Sequence, residues 1–378
     1  MHMATYSKGL EGVIAAETKL SFIDGEKGVL EYIGIPIGEL ASKSTFEETV
    51  LFLWDGHLPK APALREFTTQ VRDRYELPPA LEAMLTSLPK TAEPMHAVRT
   101  LVSALGMFDP KPDAIDHASL RDKALTILAV VPTILAYFHR YRKGMALVRP
   151  DKNFGLAENF LYMLNGVRPT PTMARAMDVC LILHADHGFN NSTFSARSIA
   201  STESDIYSAI TGAIGSLRGP LHGGANEGVM KMLNQIPTVA DAEKFIVDKL
   251  TKKDKIPGFG HRIYKAYDPR AAHLKSLAEQ LARDTGNISL FEKSTAIEGV
   301  MNREKAAKGI YPNVDFYSAT TYHCIGLPLD MFTPTFVIAR AGGWSAHVME
   351  QLANNRLFRP DVDYTGPHAV AYTVIESR

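Results

Sequence analysis

Apolar residues recur every three or four positions along most of the chain after residue 35, and proline, glycine or asparagine interrupts this pattern at intervals. Such a period places apolar side chains on one face of an α-helix. The pattern predicts a mostly helical protein, with one helix opened by a capping box of Ser44 and Glu47, another beginning at Ala225 and a kink at Pro132. The other predicted helices cover residues 62–75, 96–107, 117–144, 155–165, 170–187, 202–215, 238–252, 268–285, 289–308 and 333–355.

Strand signals are confined to the first 35 residues. Segments 19–23 and 29–33 are joined by a turn that contains Asp24-Gly25, which predicts a small β-hairpin. Strands and helices do not alternate further along the chain, and this excludes a doubly wound or barrel fold. The predicted fold class is all-α, with a large helical domain, a smaller helical domain and a minor N-terminal β-hairpin. Glycines gather between residues 212 and 224, where we expect a domain boundary.

The balance of charges argues against a polyanionic partner. The 378 residues include 41 Lys and Arg and 41 Asp and Glu, so nothing favours nucleic acid or an anionic membrane over a small-molecule ligand. Cys180 and Cys324 lie far apart in apolar surroundings, which is typical of a reducing compartment, and we expect a cytoplasmic protein. No stretch is expected to reach the uncharged length that spans a bilayer, and the N-terminus lacks a signal-peptide pattern.

One histidine lies in a loop that has few side chains for packing. Segment 219–227 reads GPLHGGANE and places His222 between a proline and two glycines, where the backbone can approach a ligand closely. A helix is predicted from Ala225, so its partly positive N-terminus would lie beside the ring and disfavour a cation. We therefore expect a neutral His222 that donates a hydrogen bond to a carbonyl group, as the neutral histidine of triosephosphate isomerase does.

Two further histidines extend an apolar stripe in the predicted helix 170–187. Met173, Met177, Cys180, His184 and His187 follow at spacings of four, three, four and three residues, so both rings face inward. They are either two interior histidines with satisfied hydrogen bonds, or His187 reaches a ligand cavity. A metal site would need a third ligand, and no zincin pattern supplies one.

A second glycine-rich loop carries His261. Segment 256–264 reads IPGFGHRIY and lies among basic residues. Exposed backbone amides next to basic side chains suit phosphate groups, although the three lysines before the loop would equally form a solvated run. Together with the His222 loop, this segment indicates that two imidazoles act on one substrate. The basic residues are Lys252, Lys253, Lys255, Arg262 and Lys265.

Three arginines, Arg270, Arg340 and Arg359, are candidates for binding carboxylates in a bidentate fashion. Arg340 is flanked by apolar residues and a glycine pair, and it would be a costly interior charge without an anion. Asp268 is explained as the N-cap of the helix that follows it, whereas nothing in the sequence explains Arg270 structurally. Asp315 is either the cap of another helix or a general base whose basicity rises in an apolar pocket.

Five ordered motifs make the second half of the chain resemble the citrate synthase family, in particular its short bacterial and archaeal type, which includes 2-methylcitrate synthases. The resemblance implies an all-α fold in which a small domain of residues 218–326 closes over the substrate against a large domain of residues 1–217 and 327–378. It also implies an obligate homodimer and no metal or tightly bound cofactor. The motifs are HADH (184–187) with NSTF (191–194), GPLHGGANE (219–227), GFGHR (258–262) with DPR (268–270), PNVD (312–315), and Arg340 with Arg359-Pro360.

The resemblance also implies a role for each candidate residue. His222 would polarise the thioester carbonyl of acetyl-CoA while Asp315 removes a methyl proton. His261 would hydrogen-bond the ketone oxygen of oxaloacetate and protonate it. The implied binding residues are His187, Arg270 and Arg340 for oxaloacetate, with Arg359 reaching in from the partner subunit, and Lys255, Ile256, Pro257, Gly258, Gly260 and Arg262 for CoA.

Two features depart from the family pattern. Many relatives have Glu directly after the HADH motif, whereas this chain has Gly188-Phe189, a change next to His187. The N-terminal region of the larger, NADH-regulated hexameric type is lacking, which favours a simple dimer.

The sequence thus predicts citrate synthase activity. A 2-methylcitrate synthase that uses propionyl-CoA is the near alternative, and dual activity is plausible because one methylene changes binding by only about 1–3 kcal/mol. Two alternatives come from other classes: a metal-dependent hydrolase that uses His184 and His187, and a catalytically inactive helical protein that binds CoA.

Overall fold

The structure is a computed structural model that describes residues 6–378. Its N-terminal part forms a three-stranded antiparallel sheet in the order β1 (Ser21–Asp24), β2 (Val29–Tyr32) and β3 (Ile35–Pro36). Ser21 pairs with Tyr32 and Asp24 with Val29 across the first hairpin. The predicted hairpin is confirmed, and it carries a third strand of two residues, which is too short to produce a period in the sequence.

Sixteen α-helices follow the sheet in the described part of the chain, which confirms the all-α fold class. The pattern missed α1, α4 and α9, which have only seven, nine and ten residues. The helices are α1 (Ile37–Lys43), α2 (Phe46–Asp55), α3 (Ala61–Asp73), α4 (Pro79–Ser87), α5 (Pro94–Leu105), α6 (His117–Arg142), α7 (Leu156–Asn165), α8 (Pro171–His184), α9 (Asn191–Ala200), α10 (Ile206–Leu217), α11 (Ala225–Leu233), α12 (Ala242–Thr251), α13 (Pro269–Asp284), α14 (Ile288–Lys305), α15 (Val314–Cys324) and α16 (Phe332–Ala353).

The two longest helices, α6 and α16, lie at the centre of the core. α6 packs against α3, α4, α5, α7, α10 and α16. By length and composition α6 is apolar enough to cross a membrane, contrary to the expectation above, but 83% of its most apolar 18-residue window is buried inside the fold. Neighbours surround this helix, so its apolar character on all sides is explained by burial in the protein core.

Two helix boundaries differ from the predicted ones. α8 ends at His184 rather than at His187, and Gly188, with a φ of +57°, lies in the loop that follows. Asp186 favours this early end because its buried carboxylate accepts hydrogen bonds from side chains outside the helix. At α2 the N-cap is Thr45 and not Ser44, since the Thr45 side chain accepts the backbone N–H of Glu48.

Close packing of α16 against the loop after α8 brings candidate residues together. A Cβ atom on Gly343 would lie 2.1 Å from the carbonyl oxygen of Ala185, so only glycine permits this approach. Arg340, one turn earlier on α16, donates its Nε–H to the carbonyl oxygen of His184 at 2.9 Å. The helix therefore places an arginine directly beside the HADH segment.

Helices α11 to α15 pack largely against one another, and the loops between them carry the remaining candidates. The His261 loop is held against the N-terminus of α15. Gly260 N–H donates to the carbonyl oxygen of Tyr311, and Asn313 N–H donates to that of Gly258, each at 2.9 Å. These bonds place the His261 loop next to the first turn of α15, which contains Asp315.

Candidate active site

His222 lies in the loop between α10 and α11, and its ring reaches the N-terminus of α9. Its Nε2 accepts the backbone N–H of Ser192 at 3.2 Å and lies 2.8 Å from the Ser192 Oγ. Trp344 fixes this serine by donating its indole N–H to the same Oγ at 3.1 Å. Since Nε2 is an acceptor, the proton of the neutral ring is assigned to Nδ1.

The neutral state predicted for His222 agrees with its environment. Burial, and secondly the positive charge of Arg340, lower the pKa of the His222 imidazole to about 4 from its ordinary value of 6.5. The backbone N–H that the ring accepts comes from Ser192 in the first turn of α9, a contact that the sequence did not reveal. The chain folds back so that a terminus 30 residues away, rather than the adjacent one, supplies the donor.

His261 shows the opposite arrangement of its ring nitrogens. Its Nδ1 accepts the backbone N–H groups of Ile263 at 3.1 Å and Tyr264 at 3.3 Å, so the proton is assigned to Nε2. Burial, and secondly the charge of Arg270, lower the pKa of His261 to about 4. This histidine is therefore also a neutral N–H donor.

His187 and His261 come together, as predicted, although His187 lies three residues beyond the end of α8. Their ring centroids are 5.2 Å apart. The hydroxyl of Tyr264 lies 3.1 Å from Nε2 of His187, and the tyrosine ring packs 4.8 Å from that of His261. Burial, and secondly Arg270, hold the pKa of His187 well below its ordinary value.

His184 is an interior histidine, but only one of its two ring nitrogens is hydrogen-bonded within the described chain. Its Nδ1 lies 2.6 Å from the carbonyl oxygen of Cys180, and its ring packs against Phe336 with centroids 4.2 Å apart. Its Nε2 has no hydrogen-bond partner among the described residues. Over residues 6–378, no group of three or more His, Cys, Asp and Glu side chains is arranged to hold a metal ion.

The two buried arginines differ in how their charge is balanced. Asp268 accepts from Nε of Arg270 at 3.0 Å and from Nη2 at 2.8 Å, which supplies the structural explanation that the sequence did not reveal. Burial lowers the pKa of Arg270, but Asp268 more than offsets this effect and leaves it raised. Arg340 is only 3% exposed, and its Nη1 has no partner among the described residues. A buried guanidinium of this kind favours binding of an anion.

Asp268 is also the N-cap of α13, as predicted, because its carboxylate accepts the backbone N–H of Arg270. Asp315, in contrast, is not a cap. Asn313 caps α15 by accepting the N–H of Asp315, and the carboxylate of Asp315 accepts no hydrogen bond within the described chain. Burial raises the pKa of the Asp315 carboxyl to about 7, against the lowering effect of nearby Arg270. These features fit the general base better than the cap.

The predicted CoA-binding residues belong to the His261 loop, apart from Lys255, which directly precedes it. Lys255 and Arg262 are exposed, Pro257 is half-buried and Ile256 is 7% exposed. Gly258 and Gly260 have φ values of +79° and +80°. A Cβ on Gly258 would lie 2.7 Å from Val229, so this loop passes very close to α11.

Arg359 does not join the cluster within one protomer. Its side chain is 76% exposed and contacts only its neighbours Pro360 and Asp361. The unusual Gly188-Phe189 pair lies nearby in the fold, because Phe189 packs against Phe358 with ring centroids 6.5 Å apart. The Gly188-Phe189 pair therefore places an aromatic contact, that of Phe189 with Phe358, next to Arg359 in the chain.

The two buried arginines affect the pKa values of both candidate histidines and of Asp315. The charge of Arg340 acts on His222, that of Arg270 acts on His261, and both act on Asp315. The site thus combines two neutral N–H donors, a carboxylate with a raised pKa and two buried guanidinium groups. Such a set can remove a proton beside one carbonyl group while it polarises a second carbonyl group on an anionic molecule.

Comparison with known proteins supports this chemistry. Residues 9–361 match the family model described as citrate synthase, C-terminal domain. The chain belongs to the citrate synthase family. It is 46% identical to the citrate synthase of Deinococcus radiodurans over 376 residues, with 100% of each chain covered. It is also 41% identical to the 2-methylcitrate synthase of Shewanella oneidensis, over 95% of this chain and 94% of that one.

A citrate synthase from Thermoplasma acidophilum, solved as a ternary complex with carboxymethyl coenzyme A and oxaloacetate, has a TM-score of 0.94 to this chain. The two are 34% identical, with 100% of each chain covered. The predicted family is therefore confirmed, and with it the enzyme class, an acyltransferase of the citrate synthase type. Within this family member, two further residues contact the candidate histidines: Ser192 contacts His222, and Tyr264 lies between His187 and His261. A third, Trp344, acts on His222 through Ser192.

Proposed function

We propose that the protein condenses acetyl-CoA with oxaloacetate and water to give citrate and CoA. The observation that carries this proposal is the pairing of Asp315, with a pKa of about 7, with a neutral His222 whose Nδ1–H is not used in a hydrogen bond to another described residue. The methyl group of a thioester is a very weak acid, so a base and a carbonyl donor must act together. An Asp with an ordinary pKa would be a weaker base, and a cationic His222 would repel the Arg340 charge.

In the proposed first step, the Asp315 carboxylate removes a methyl proton from acetyl-CoA. The electron pair of the broken C–H bond moves into the thioester carbonyl, whose oxygen accepts the Nδ1–H bond of His222. This gives an enolate whose oxygen accepts the hydrogen bond from His222, and the ring keeps its proton and stays neutral. Arg340 and Arg270 lower the energy of the negative charge that passes from the base to the substrate.

In the second step, the enolate carbon attacks the ketone carbon of oxaloacetate and forms the new C–C bond. The ketone π electrons move to oxygen, which takes a proton from Nε2 of His261 and becomes the hydroxyl of citryl-CoA. His261 is left as an imidazolate and regains a proton from solvent, while the Asp315 carboxyl releases the methyl proton to solvent, so both groups return to their starting states. Water then cleaves the thioester and releases citrate and CoA. Neither step requires a metal ion or a bound cofactor.

We assign oxaloacetate to His187, Arg270 and Arg340, and the phosphates of CoA to the exposed basic residues of the His261 loop. The unpartnered Nη1 of Arg340 supports a carboxylate at that position. We further propose that residues 218–326 form the small domain and residues 1–217 and 327–378 the large one, since α11 to α15 pack largely on one another. A cytoplasmic location fits the two free, buried cysteines, Cys180 and Cys324.

Propionyl-CoA is the second candidate substrate, favoured by the similarity to the 2-methylcitrate synthase of Shewanella oneidensis. The test is kcat/KM for acetyl-CoA and for propionyl-CoA, measured with oxaloacetate by release of the free thiol. A higher value for acetyl-CoA supports the first proposal. A clear preference for propionyl-CoA would assign the second, and absence of thiol release with any 2-oxo acid would contradict both.

We propose that Arg359 completes the site of the partner subunit in a homodimer, since it is exposed and apart from the site of its own protomer. The test is co-expression of Arg359→Ala with His222→Ala, each inactive alone. The co-expressed mixture should then recover about a quarter of wild-type activity, because about half of randomly paired dimers are mixed and each of these has one intact site of two. Recovery of none would place Arg359 in the site of its own subunit, and an Arg359→Ala protein that is active alone would place it outside both sites.

A further inference from the structure

The turn of the N-terminal hairpin and the strand before it contact two loops of the site. We propose that this hairpin, residues 21–32, is a positioning element of the active site: Ser21 fixes the loop that carries His187, and Gly25 fixes the loop that carries His261 and Tyr264. The inference rests on the proposed function, because it assigns the hairpin to the binding of oxaloacetate.

Ser21 bonds to the residues on both sides of His187. Its hydroxyl donates to Oδ2 of Asp186 at 2.6 Å, and its Oγ accepts the backbone N–H of Gly188 at 2.9 Å. The His187 loop comes after the end of α8, so no helical hydrogen bonds hold it. The serine therefore supplies contacts that the helix does not.

Asp186 is itself held firmly on its other side. It is fully buried, and its Oδ1 lies 3.1 Å from Nε2 of His347 on α16. The hydroxyl of Tyr32, on β2, accepts the Asp186 N–H at 3.0 Å and lies 2.8 Å from its carbonyl oxygen. Residues of the sheet thus form hydrogen bonds with both the backbone and the side chain of Asp186, which directly precedes His187.

At its other end, the hairpin meets the His261 loop. The carbonyl oxygen of Gly25 accepts the backbone N–H of Lys265 at 2.9 Å. A Cβ on Gly25 would lie 2.2 Å from the carbonyl oxygen of Ile263, so a side chain here would push the two segments apart. Lys265 directly follows Tyr264, which places the contact next to the tyrosine that reaches His187.

The contacts of Ser21 and of Gly25 both affect the distance between Tyr264 and His187. The hydroxyl of Tyr264 and Nε2 of His187 are 3.1 Å apart, and they belong to the two loops that the hairpin joins. A change at Ser21 or Gly25 therefore shifts His187 relative to His261 without removing either ring. Because both histidines are assigned to oxaloacetate, we expect the effect on the binding of oxaloacetate rather than on that of acetyl-CoA.

The first variant is Ser21→Ala, with Ser21→Thr to restore the hydroxyl. For Ser21→Ala we expect KM and the calorimetric Kd for oxaloacetate to rise about tenfold, the size expected for one buried hydrogen bond. We expect KM for acetyl-CoA and kcat to change less than about twofold. Ser21→Thr should recover most of the affinity for oxaloacetate. Phe22→Thr is the matched control, since Phe22 is 56% exposed and its side chain points to the opposite face of the strand.

The second variant, Gly25→Ala, tests the other attachment independently of Ser21. It should weaken oxaloacetate binding by at least as much, again with KM for acetyl-CoA unchanged. Unchanged oxaloacetate affinity in soluble, folded Ser21→Ala or Gly25→Ala protein would overturn the proposal. An equal loss in both KM values and in kcat would do so too, because it would indicate a general loss of stability. Failure of both variants to fold would make the hairpin a folding element and would count against the proposal.

The outcome is separable from that of the proposed function. If wild-type protein releases no thiol with either acyl-CoA, the proposed function fails. If wild-type protein is active and these variants bind oxaloacetate normally, only the assignment of the hairpin fails.

Discussion

His222 and His261 lie in two glycine-rich loops and have pKa values lowered to the same value, about 4, but they use opposite ring nitrogens. His222 accepts at Nε2 and His261 accepts at Nδ1. Burial determines the charge of both rings, whereas the position of backbone N–H groups determines which nitrogen carries the proton. Two histidines in the same charge state thereby direct their N–H bonds differently.

The two tautomers also depend on different parts of the chain. The donors to His261 are two and three residues further along the same loop. The donor to His222 is Ser192, 30 residues away, and it is fixed by Trp344 from α16. The tautomer of His261 is thus determined locally, while that of His222 depends on the packing of three separate segments.

The largest effect is expected from Asp315, which acts with His222 on the acyl-CoA, whereas His261 acts on oxaloacetate. Asp315→Asn should lower kcat by about 10³-fold, because the amide cannot remove a proton, a loss within the range for general base catalysis. Oxaloacetate binding, measured by calorimetry, should stay within about threefold of wild type. Asp284→Asn, an exposed carboxylate near the end of α13, is the control. Retained turnover in Asp315→Asn would remove this residue from the role of base.

The assigned tautomers can be tested by exchanging each histidine for both amides. The side-chain nitrogen of Asn can replace Nδ1 of histidine, and that of Gln can replace Nε2. Each variant should lose roughly 10²- to 10³-fold in kcat, as expected for removal of one carbonyl donor. His222→Asn should nevertheless retain more activity than His222→Gln, and His261→Gln more than His261→Asn. The same order at both positions would contradict the opposite tautomers.

The dependence of activity on pH tests whether the two rings stay neutral. Below pH 7, kcat/KM should fall about tenfold per pH unit, because the Asp315 carboxyl, with its pKa raised to about 7, takes up a proton and no longer acts as a base. The histidines, with pKa values near 4, should add a second loss only near that pH. His222→Asn retains Asp315, so its residual kcat/KM should still fall below pH 7 as that of the wild type does. An acid limb confined to pH 4 would contradict the raised pKa of Asp315.

The smallest expected effect concerns the contact between the loops. Tyr264→Phe removes the hydroxyl 3.1 Å from His187 Nε2 but keeps the backbone N–H that orients His261. We expect KM for oxaloacetate to rise about fivefold, with kcat nearly unchanged. A loss in kcat as large as that of His261→Gln would show that the tyrosine hydroxyl, and not only its backbone, determines the state of His261.

The sequence predicted those parts of the site that depend on neighbouring residues. The glycine loops around His222 and His261 and the N-cap at Asp268 were all visible in short segments. The end of α8 was misplaced, since Asp186 is held by Ser21 and His347, both more than 150 positions away. For the same reason the contact of His222 with Ser192, 30 positions away, was not predicted.

Two further contacts were not predicted either. The ion pair of Asp268 with Arg270 joins residues two positions apart, yet capping alone gave no reason to expect it. Tyr264 stood in the quoted loop, but only the folded chain brings its hydroxyl to His187. The only sequence signal for this contact is the position of Tyr264, three residues after His261 in the same loop.

The buried charge of Arg340 has a consequence for the lifetime of the protein. Its Nη1 has no hydrogen-bond partner among residues 6–378, so this part of the chain alone leaves the buried group without compensation for its lost hydration. A dicarboxylate that binds there favours the native state, and at a hundred times its Kd it adds about 2.7 kcal/mol to the free energy of unfolding. Resistance to heat and to proteolysis should therefore follow the concentration of oxaloacetate or citrate, so that the supply of substrate also regulates how much enzyme persists.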